Sequence, residues 1–312
     1  MAINKILTIG IPTYNRASDL DKCLSSLLNQ VQEFEEYIEI FISDNNSEDQ
    51  TSEIVQKYVS SGFKINLFRQ KQNVGMDKNF ATLYEKCQTK YLWLFSDDDI
   101  LLPDGLNKIM HILKHKEAGV LYLNNYWYDK QIDFSKIEIN EPIKYVEYND
   151  SIKFVERVNY WFTFLTGNII NKDIIKDKID IYEFDQTYLL QLSWVIPAVF
   201  QGISSFVIEN TVLACKANNT GGYKLYKVFG KNFNYVMDKL IKKGYDKRLK
   251  KIINYHLINN FFPAFLCNNS KNFEKENYFS ILFPIFWKYP IFWRKIMPIL
   301  IKKHIQASNK YA

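Results

Sequence analysis

Short apolar runs alternate with amphipathic helical stretches over residues 6–123, and this alternation constrains the fold more than any other feature of the chain. The runs lie at 6–11, 38–43, 65–68, 91–95 and 120–123, and their lengths are typical of strands buried on both faces. Between them, apolar residues recur with the period of one face of a helix. Strands that alternate with helices form a parallel sheet covered on both sides. The sequence therefore predicts an α/β fold.

The periodic pattern changes farther along the chain. It is lost in an aromatic and charged stretch at 126–149, which predicts an insertion or extended strands, and it returns at 154–165, 188–200 and 205–212. Beyond residue 222 the pattern is helical and rich in lysine. We therefore expect a sheet-containing domain over 1–222 and a helical C-terminal region over 223–312.

The two predicted regions carry opposite charge. Residues 1–215 contain 21 Lys and Arg against 30 Asp and Glu, whereas residues 216–312 contain 19 against 4. With 47% hydrophobic and 24% charged residues, the chain has the composition of a folded globular protein and not of a disordered one. The basic end predicts a negatively charged partner, either an anionic membrane surface or a nucleic acid.

The four cysteines are scattered along the chain without a close pair. This spacing excludes a zinc ribbon and a disulfide framework, and it favours a reducing compartment. The first 11 residues lack the apolar core and the cleavage site of a signal peptide. We therefore expect a cytoplasmic protein.

The most informative polar segment is Ser-Asp-Asp-Asp at 96–99, which directly follows an apolar strand. In an open α/β sheet, ligands bind at the carboxyl ends of the strands. Adjacent carboxylates repel one another unless a cation or a dense hydrogen-bond network compensates them. Hard oxygen ligands in a D-x-D pair suit Mg²⁺ or Mn²⁺. The segment predicts a metal site, and an acidic turn that caps the next helix is the alternative.

Other turn-forming polar clusters follow the first three strands, at 12–16, 44–47 and 73–75. We expect all of them at one edge of the sheet, beside the aspartates. A carboxylate that accepts from a base N–H, an arginine and a glycine that allows close backbone approach together describe a pocket for a nucleoside diphosphate. Taken singly, each cluster is better explained as a turn or a helix cap.

With these segments, the chain resembles the inverting family-2 glycosyltransferases of the GT-A fold. The matching motifs are I-P-T-Y-N-R at 11–16, S-D-N-N-S at 43–47, N-V-G-M-D-K-N at 73–79 and S-D-D-D-I-L-L-P at 96–103. The last motif is similar to the branch that builds bacterial capsule and lipopolysaccharide O-antigen. The resemblance implies a Rossmann-like, mostly parallel sheet flanked by helices. It also implies a nucleotide-sugar half at about 1–105 and an acceptor half at about 106–222.

The resemblance also implies roles for individual residues. The nucleotide-sugar would contact Pro12, Tyr14, Arg16, Asp44, Asn46, Asn73, Gly75, Lys78, Asp97 and Asp98. Asp99, with Asp97, would hold the Mn²⁺ or Mg²⁺ ion that bridges the two phosphates. The donor base and sugar are open, and UDP is expected only because it is common in the family.

An inverting transfer needs a general base that takes the proton of the acceptor hydroxyl. The candidates are Asp185 and Glu183, followed by the more remote Asp180. We favour Asp185 because it immediately precedes the apolar helix predicted over 188–200, where a loop can project a carboxylate into the cleft. A helix N-cap is the alternative role. Processive relatives carry Q-x-x-R-W; the segment 191–194 lacks the arginine, which predicts a single transfer.

Residues 279–301 are apolar enough to resemble a membrane span, but three prolines and the charges of Lys288, Arg294 and Lys295 oppose spanning. Aromatic residues interleaved with basic ones favour a segment that lies in the interface of an anionic leaflet. Packing against the rest of the chain or a second copy is the alternative, so an oligomer is left open. The apolar content argues against nucleic acid. With the resemblance, this predicts a peripheral enzyme on the inner face of the cell membrane and a polyprenyl-diphosphate-linked glycan acceptor.

Several weaker signals have two interpretations each. The segment 218–223 is a lid over the donor phosphates or a plain linker. Trp161 and Trp194 stack on a sugar or fill the core, and His111 and His115 form a metal pair or lie on a surface helix. A non-catalytic nucleotide- or carbohydrate-binding protein is the alternative function. A nucleotidyltransferase is disfavoured because no glycine-rich loop follows the first strand.

Overall fold

The computed structural model describes residues 5–137, 141–175, 179–217, 222–267 and 276–308. The chain divides into two compact units. One comprises Met1–Ser151 and Trp161–Ala217, and the other comprises Ile152–Tyr160 and Asn218–Ala312. The expected division at residue 222 remains a prediction.

The first unit is built on one mixed sheet. Its strands are β1 (Leu7–Thr13), β2 (Ile38–Asp44), β3 (Ile65–Arg69), β4 (Tyr91–Leu94), β5 (Ile100–Leu101), β6 (Ala118–Tyr128), β7 (Tyr145–Tyr148), β8 (Asn168–Asn171) and β9 (Ser204–Lys216). Their order is β3-β2-β1-β4-β8-β6-β9-β5, with β7 also paired to β9. The first four strands are parallel, with Leu7 opposite Ile38 and Tyr91. The strand β8 runs antiparallel to both β4 and β6, so the second half of the sheet is mixed.

Helices cover both faces of this sheet, because successive side chains of a strand point to opposite faces. They are α1 (Ala17–Val31), α2 (Thr51–Ser60), α3 (Met76–Lys86), α4 (Gly105–His115) and α6 (Leu192–Gln201). The buried residues of α1, α2 and α4 share one core with Leu7, Ile9 and Ile11 of β1. On the opposite face, Leu83 of α3 packs over Gly10. The helices α3 and α6 meet there through the stacked rings of Tyr84 and Trp194, 4.7 Å apart.

The second unit is helical. It contains α7 (Phe233–Lys242), α8 (Arg248–His256), α9 (Phe262–Cys267), α10 (Tyr278–Phe286), α11 (Pro290–Lys295) and α12 (Met297–Ser308), with π-helical turns at Lys227–Asn232 and Leu257–Phe261. Residues 152–158 of the helix α5 (Ser151–Val158) also belong to this unit. Aromatic side chains form the core, including Phe262, Phe286 and Phe292. No helix in the described part of the chain is both long and apolar enough to cross a membrane.

In the stretch 126–149, β6 continues to Tyr128 and β7 pairs with β9, which agrees with the extended strands that were one of the two expectations there. The structure departs from the sequence prediction in two places. The strands β5 and β8 were not expected, since two and four residues give almost no periodic signal. The helix expected over 188–200 begins only at Leu192.

Candidate nucleotide-sugar site

The three aspartates lie just beyond β4, at the carboxyl edge of the sheet. The Arg16 guanidinium, at the start of α1, lies over two of them. Its Nη1 is 3.1 Å from Oδ1 of Asp97 and 2.7 Å from Oδ2 of Asp98. The Asp97 and Asp98 side chains are only 6% and 2% exposed, whereas Arg16 is 37% exposed. The protein therefore holds a nearly buried pair of carboxylates under a cation that reaches solvent.

Burial is the main influence on the Asp97 carboxyl, and it raises the pKa of Asp97 to about 7. The positive charge of Arg16 lowers that pKa, and the neighbouring charge of Asp98 raises it. For Arg16 itself, burial lowers the pKa, but Asp97 and Asp98 outweigh this and raise it. Burial therefore disfavours the ionised form of Asp97 more than Arg16 favours it.

Asp99 is held from a different direction. Its Oδ2 accepts a hydrogen bond from Oγ1 of Thr166, at 2.5 Å, and the same hydroxyl oxygen accepts the backbone N–H of Ser96. Burial and the charge of Asp98 raise the pKa of Asp99 to about 7, although hydrogen bonds from Thr166, the Lys216 backbone and Cys215 lower it. Both predicted metal ligands, Asp97 and Asp99, are therefore deeply buried at this sheet edge.

Hydrogen bonds connect the polar loops after the first three strands. Between the first and second loops, the N–H of Asn15 donates to Ser47 Oγ, at 2.9 Å, and Asn15 Oδ1 accepts the N–H of Glu48. Between the second and third loops, Asn45 Nδ2 donates to Asn73 Oδ1, and Asn45 Oδ1 accepts the N–H of Val74, both at 2.9 Å. Together with Arg16, these contacts bring all four predicted segments into one cluster.

Asp44 ends β2 and is fully buried. Its Oδ1 accepts the N–H of Ser47 at 2.9 Å, and its Oδ2 lies 3.6 Å from Nε of Arg69 on β3. Asn46, which lies between Asp44 and Ser47 in the chain, has a φ of +67°. Asparagine tolerates this left-handed conformation better than most residues. The predicted base-binding aspartate is therefore fixed in a tight turn.

The other predicted contacts differ in exposure. Pro12 is buried in β1 opposite Ser43, while Tyr14 is 41% exposed. Asn73 Oδ1 accepts the N–H of Gly75, which precedes α3 and has a φ of +86°. Lys78, on the first turn of α3, is half exposed.

The segment with the candidate bases is a series of turns between β8 and α6. Asp185 Oδ2 lies 3.7 Å from Nζ of Lys78. Asp185 does not cap α6, because that helix begins at Leu192 with Gln191 as its N-cap residue. Glu183 is half buried, and its N–H donates to the carbonyl of Asp180. Among these carboxylates, the structure thus pairs Asp185 with a predicted donor-binding residue.

The carboxylates fit a hard divalent cation. Asp97 and Asp99 could supply oxygen ligands, and their raised pKa values show that neither carboxylate is fully compensated by its surroundings. Within the described residues, no group of three or more His, Cys, Asp or Glu side chains is arranged to hold a metal. A cation at Asp97 and Asp99 would therefore take its remaining ligands from phosphate oxygens and water, as Mg²⁺ commonly does.

Comparison with solved structures identifies the fold as that of the GT-A type. The chain superimposes on S. aureus TarS 1-349 in complex with UDP-GlcNAc with a TM-score of 0.58 at 14% identity, over 84% of this chain and 76% of that one. It matches the mannosyltransferase PcManGT from Pyrobaculum calidifontis, in complex with GDP-Man and Mn²⁺, with a TM-score of 0.56 at 13% identity, over 96% and 86% of the two chains. These likenesses confirm the predicted fold.

The sequence comparisons identify the family. The model of glycosyl transferase family 2 matches residues 8–177, more than half of the chain. The chain therefore belongs to glycosyl transferase family 2, and the predicted resemblance is confirmed. It is 28% identical over 237 residues to abequosyltransferase RfbV of Salmonella typhimurium, which covers 69% of this chain and 67% of that protein. It is 30% identical over 131 residues to the GalNAc(5)-diNAcBac-PP-undecaprenol beta-1,3-glucosyltransferase of Campylobacter jejuni, which covers 42% and 41%.

Some predicted features lie elsewhere. Trp194 is buried in the core, whereas Trp161 lies beside Trp127, with ring centroids 5.9 Å apart. The rings of His111 and His115 are 5.3 Å apart on α4, and the described residues offer them no third ligand. Within the segment predicted as a lid, residues 218–221 lie outside the described residues.

Two site residues were not found by sequence reasoning. Thr166 donates to Asp99 from 67 residues away, and Asp77 contacts the base segment from 111 residues away. Thr166 belongs to none of the polar turns that mark the other loops, so the sequence contains no local signal for it. Asp77 lies within the motif N-V-G-M-D-K-N at 73–79, but nothing local in that motif indicates a contact with the base segment.

Proposed function

We propose that this glycosyltransferase moves a single sugar from a nucleoside diphosphate sugar, with UDP as the expected nucleotide, to a glycan acceptor, with inversion at the anomeric carbon. The acceptor is proposed to be linked to polyprenyl diphosphate, in the synthesis of bacterial capsule or O-antigen. The observation that carries the proposal is the cluster of Arg16, Asp97, Asp98 and Asp99 at the carboxyl edge of the sheet, joined by hydrogen bonds to the Asp44 and Asn73 loops.

The named relatives support the choice of acceptor. One is a transferase whose name specifies a PP-undecaprenol-linked saccharide, and another is an abequosyltransferase. The solved neighbours have UDP-GlcNAc or GDP-Man bound. We extend to this chain the nucleotide-sugar donor of the solved neighbours and the lipid-diphosphate acceptor that the name of the Campylobacter jejuni relative specifies.

In the proposed reaction, Asp44 accepts a hydrogen bond from the nucleotide base, and Asn73, Gly75 and Lys78 close around the diphosphate. Asp97 and Asp99 would hold a divalent cation, Mn²⁺ or Mg²⁺, which would stabilise the negative charge that develops on the leaving diphosphate. Arg16 keeps Asp97 and Asp98 in place when the donor is absent.

We propose Asp185 as the general base. It accepts the proton of the acceptor hydroxyl as the oxygen attacks the anomeric carbon. Nζ of Lys78, 3.7 Å from Oδ2 of Asp185, places a positive charge beside this carboxylate. Glu183 is the second candidate, because it belongs to the same series of turns.

A donor screen followed by a turnover assay tests this function. Thermal shift with UDP-, GDP- and other nucleotide-sugars, each with and without Mn²⁺, identifies the donor, because a ligand that binds only the folded state raises the melting temperature. Release of the nucleoside diphosphate in the presence of a polyprenyl-diphosphate glycan then measures transfer. Asp185→Asn is expected to lower kcat by at least about 100-fold with nearly unchanged donor binding. Exposed Glu48→Gln is the matched carboxylate control; full activity of Asp185→Asn would overturn the base assignment.

We also propose peripheral attachment to an anionic membrane through an aromatic–basic face, formed by Phe279, Trp287, Lys288, Trp293, Arg294 and Lys295. The three helices α10, α11 and α12 bury Leu282, Phe286 and Phe292 within their own unit, so part of the segment packs internally. Phe279, Trp287 and Trp293 nevertheless remain 44%, 47% and 49% exposed. Aromatic rings beside lysine and arginine are typical of a surface that binds anionic lipid headgroups.

Point variants test the attachment better than deletion of the segment, because deletion would also remove buried core residues. The double variant Trp287→Ser/Trp293→Ser is expected to reduce binding to vesicles containing anionic lipid by about tenfold or more. Tyr255→Ser, which removes an equally exposed aromatic of α8, is the control. Binding that is unchanged in the double variant, or equal on neutral vesicles, would refute membrane attachment through this face.

A further inference from the structure

The segment with the candidate base is fixed along one helix. Three contacts join it to α3: the hydroxyl of Tyr182 donates to Glu85, at 2.9 Å, Lys78 lies 3.7 Å from Asp185, and the N–H of Tyr188 donates to Oδ2 of Asp77, at 3.1 Å. The anchor between the first two contacts is Phe184, which is fully buried. The segment therefore has a defined position relative to α3.

Asp77 differs from the other two contacts because it is buried, with only 6% exposure. Burial raises the pKa of Asp77 to about 6; the backbone N–H groups of Tyr188, Gln186 and Leu190 lower it, and the charge of Asp185 raises it. A carboxylate in the first turn of a helix ordinarily interacts with that helix. This one accepts from a distant turn instead, and burying it is costly unless such bonds are made.

The backbone that Asp77 holds is unusual. Gln186 and Tyr188 have φ values of +64° and +61°, in the left-handed region that non-glycine residues seldom adopt. Each costs about 1 kcal/mol relative to a right-handed conformation, so tertiary contacts must maintain them. The N–H of Tyr188 donates to Asp77, and the N–H of Gln186 donates to Oδ1 of Asp185 itself. The turn that orients Asp185 thus depends on its contact with Asp77.

We propose that Asp77 is a positioning residue for transfer: by accepting the N–H of Tyr188, it holds the 185–188 turn so that Asp185 faces the reacting hydroxyl. This inference rests on the proposed function, in which Asp185 is the base. The same helix begins directly after Gly75, in the loop proposed to bind the diphosphate. A single rigid element therefore connects the donor loop with the base.

The kinetic test compares three variants in the full-length protein. Asp77→Ala removes the acceptor and is expected to lower kcat by about 10- to 100-fold, since a displacement of about 1 Å at a reacting group has effects of this size. The KM for the donor is expected to change less than about threefold. Asp77→Asn keeps an oxygen acceptor at the same place and is expected to recover most of the activity. Tyr182→Phe removes a hydrogen bond between the same segment and the same helix, and it should leave kcat within about threefold.

Hydrogen exchange provides a readout that does not depend on turnover. In Asp77→Ala, the amides of 185–190 are expected to exchange at least about tenfold faster than in the wild type, and in Tyr182→Phe they are not. If Asp77→Ala does not fold, as judged by circular dichroism, Asp77→Ser is measured instead.

The outcomes separate the two proposals. Exchange and kcat that are both unchanged in Asp77→Ala overturn the positioning role and leave Asp185 as the base. A parallel loss of kcat, donor affinity and melting temperature in the alanine and asparagine variants alike indicates a purely structural role and also overturns it. Full activity of Asp185→Asn overturns the base assignment and, with it, the positioning role, whatever the exchange rates.

Discussion

Arg16 is the residue whose loss should most affect the stability of the metal-free site. Its Nη1 lies 3.1 and 2.7 Å from the nearly buried carboxylates of Asp97 and Asp98. Arg16→Ala leaves both carboxylates without this cation in a poorly solvated position. Removing one partner of a buried ion pair costs about 3 to 5 kcal/mol, far more than removing an exposed one. We place the variant at the lower end of this range, because Arg16 itself is partly exposed.

The cost should depend on pH in a defined direction. The folded-state pKa of Asp97, about 7, lies above its ordinary value of 3.8. Protonated Asp97 therefore favours the folded state, and this stabilisation is lost as pH rises from about 4 through 7. Without Arg16, which lowers this pKa, the loss must continue above pH 7. The difference between wild type and variant should thus be greater at pH 8.5 than at pH 5.5, by about 1 kcal/mol or more.

Urea denaturation at both pH values, with EDTA present, measures these free energies of unfolding. Lys57→Ala is the matched control, because it removes an exposed cation that lies 2.8 Å from Asp21. Such a surface pair is expected to contribute at most about 1 kcal/mol. If Arg16→Ala costs no more than this control, or costs the same at pH 5.5 and 8.5, then the Arg16 contacts do not compensate the buried charge and our electrostatic description is wrong.

Three further outcomes are expected. In urea denaturation, Asp77→Asn should be more stable than the wild type at pH 8 by up to about 3 kcal/mol, and equally stable below pH 4. The folded pKa of Asp77, about 6, lies above its ordinary value of 3.8, so ionisation of this carboxyl destabilises the fold. A variant less stable than the wild type at pH 8 would contradict this. Asp99→Asn should remove the Mn²⁺-dependent part of UDP binding measured by calorimetry, with metal-free binding retained, and undiminished Mn²⁺ dependence would exclude Asp99 as a ligand. Gly75→Ala should destabilise the fold by about 1 kcal/mol, seen as a lower melting temperature, because Gly75 has a φ of +86° while the space around the added Cβ is open. Gly62→Ala, with a φ of +95° and equally open space, is the comparison outside the site. A Gly75→Ala variant that melts at or above the wild-type temperature would show that the backbone at this position does not require glycine.

Local patterns in the sequence were sufficient to predict the α/β class and the gathering of the polar loops at one edge of the sheet. The first four strands are each a short apolar run, and the polar turns after them contain Asn, Asp and Gly, which favour tight turns. Parallel strands place such turns at one edge, so the proximity of Arg16 to Asp97 followed from the order of elements alone. The motifs at 11–16 and 96–103 also indicated membership of glycosyl transferase family 2.

The tertiary structure decided what depends on contacts between distant residues. Only the fold brings Thr166 to Asp99 and Tyr188 to Asp77, because the partners of each pair are far apart in the chain and leave no periodic pattern in it. Tertiary packing also decides where α6 begins. Helix propensity alone predicts a helix from residue 188, but the buried residues of the preceding turns keep that backbone non-helical up to Leu192. The sequence by itself determined which edge of the sheet is charged; side-chain packing across that sheet determined how each carboxylate is oriented and how strongly it holds its proton.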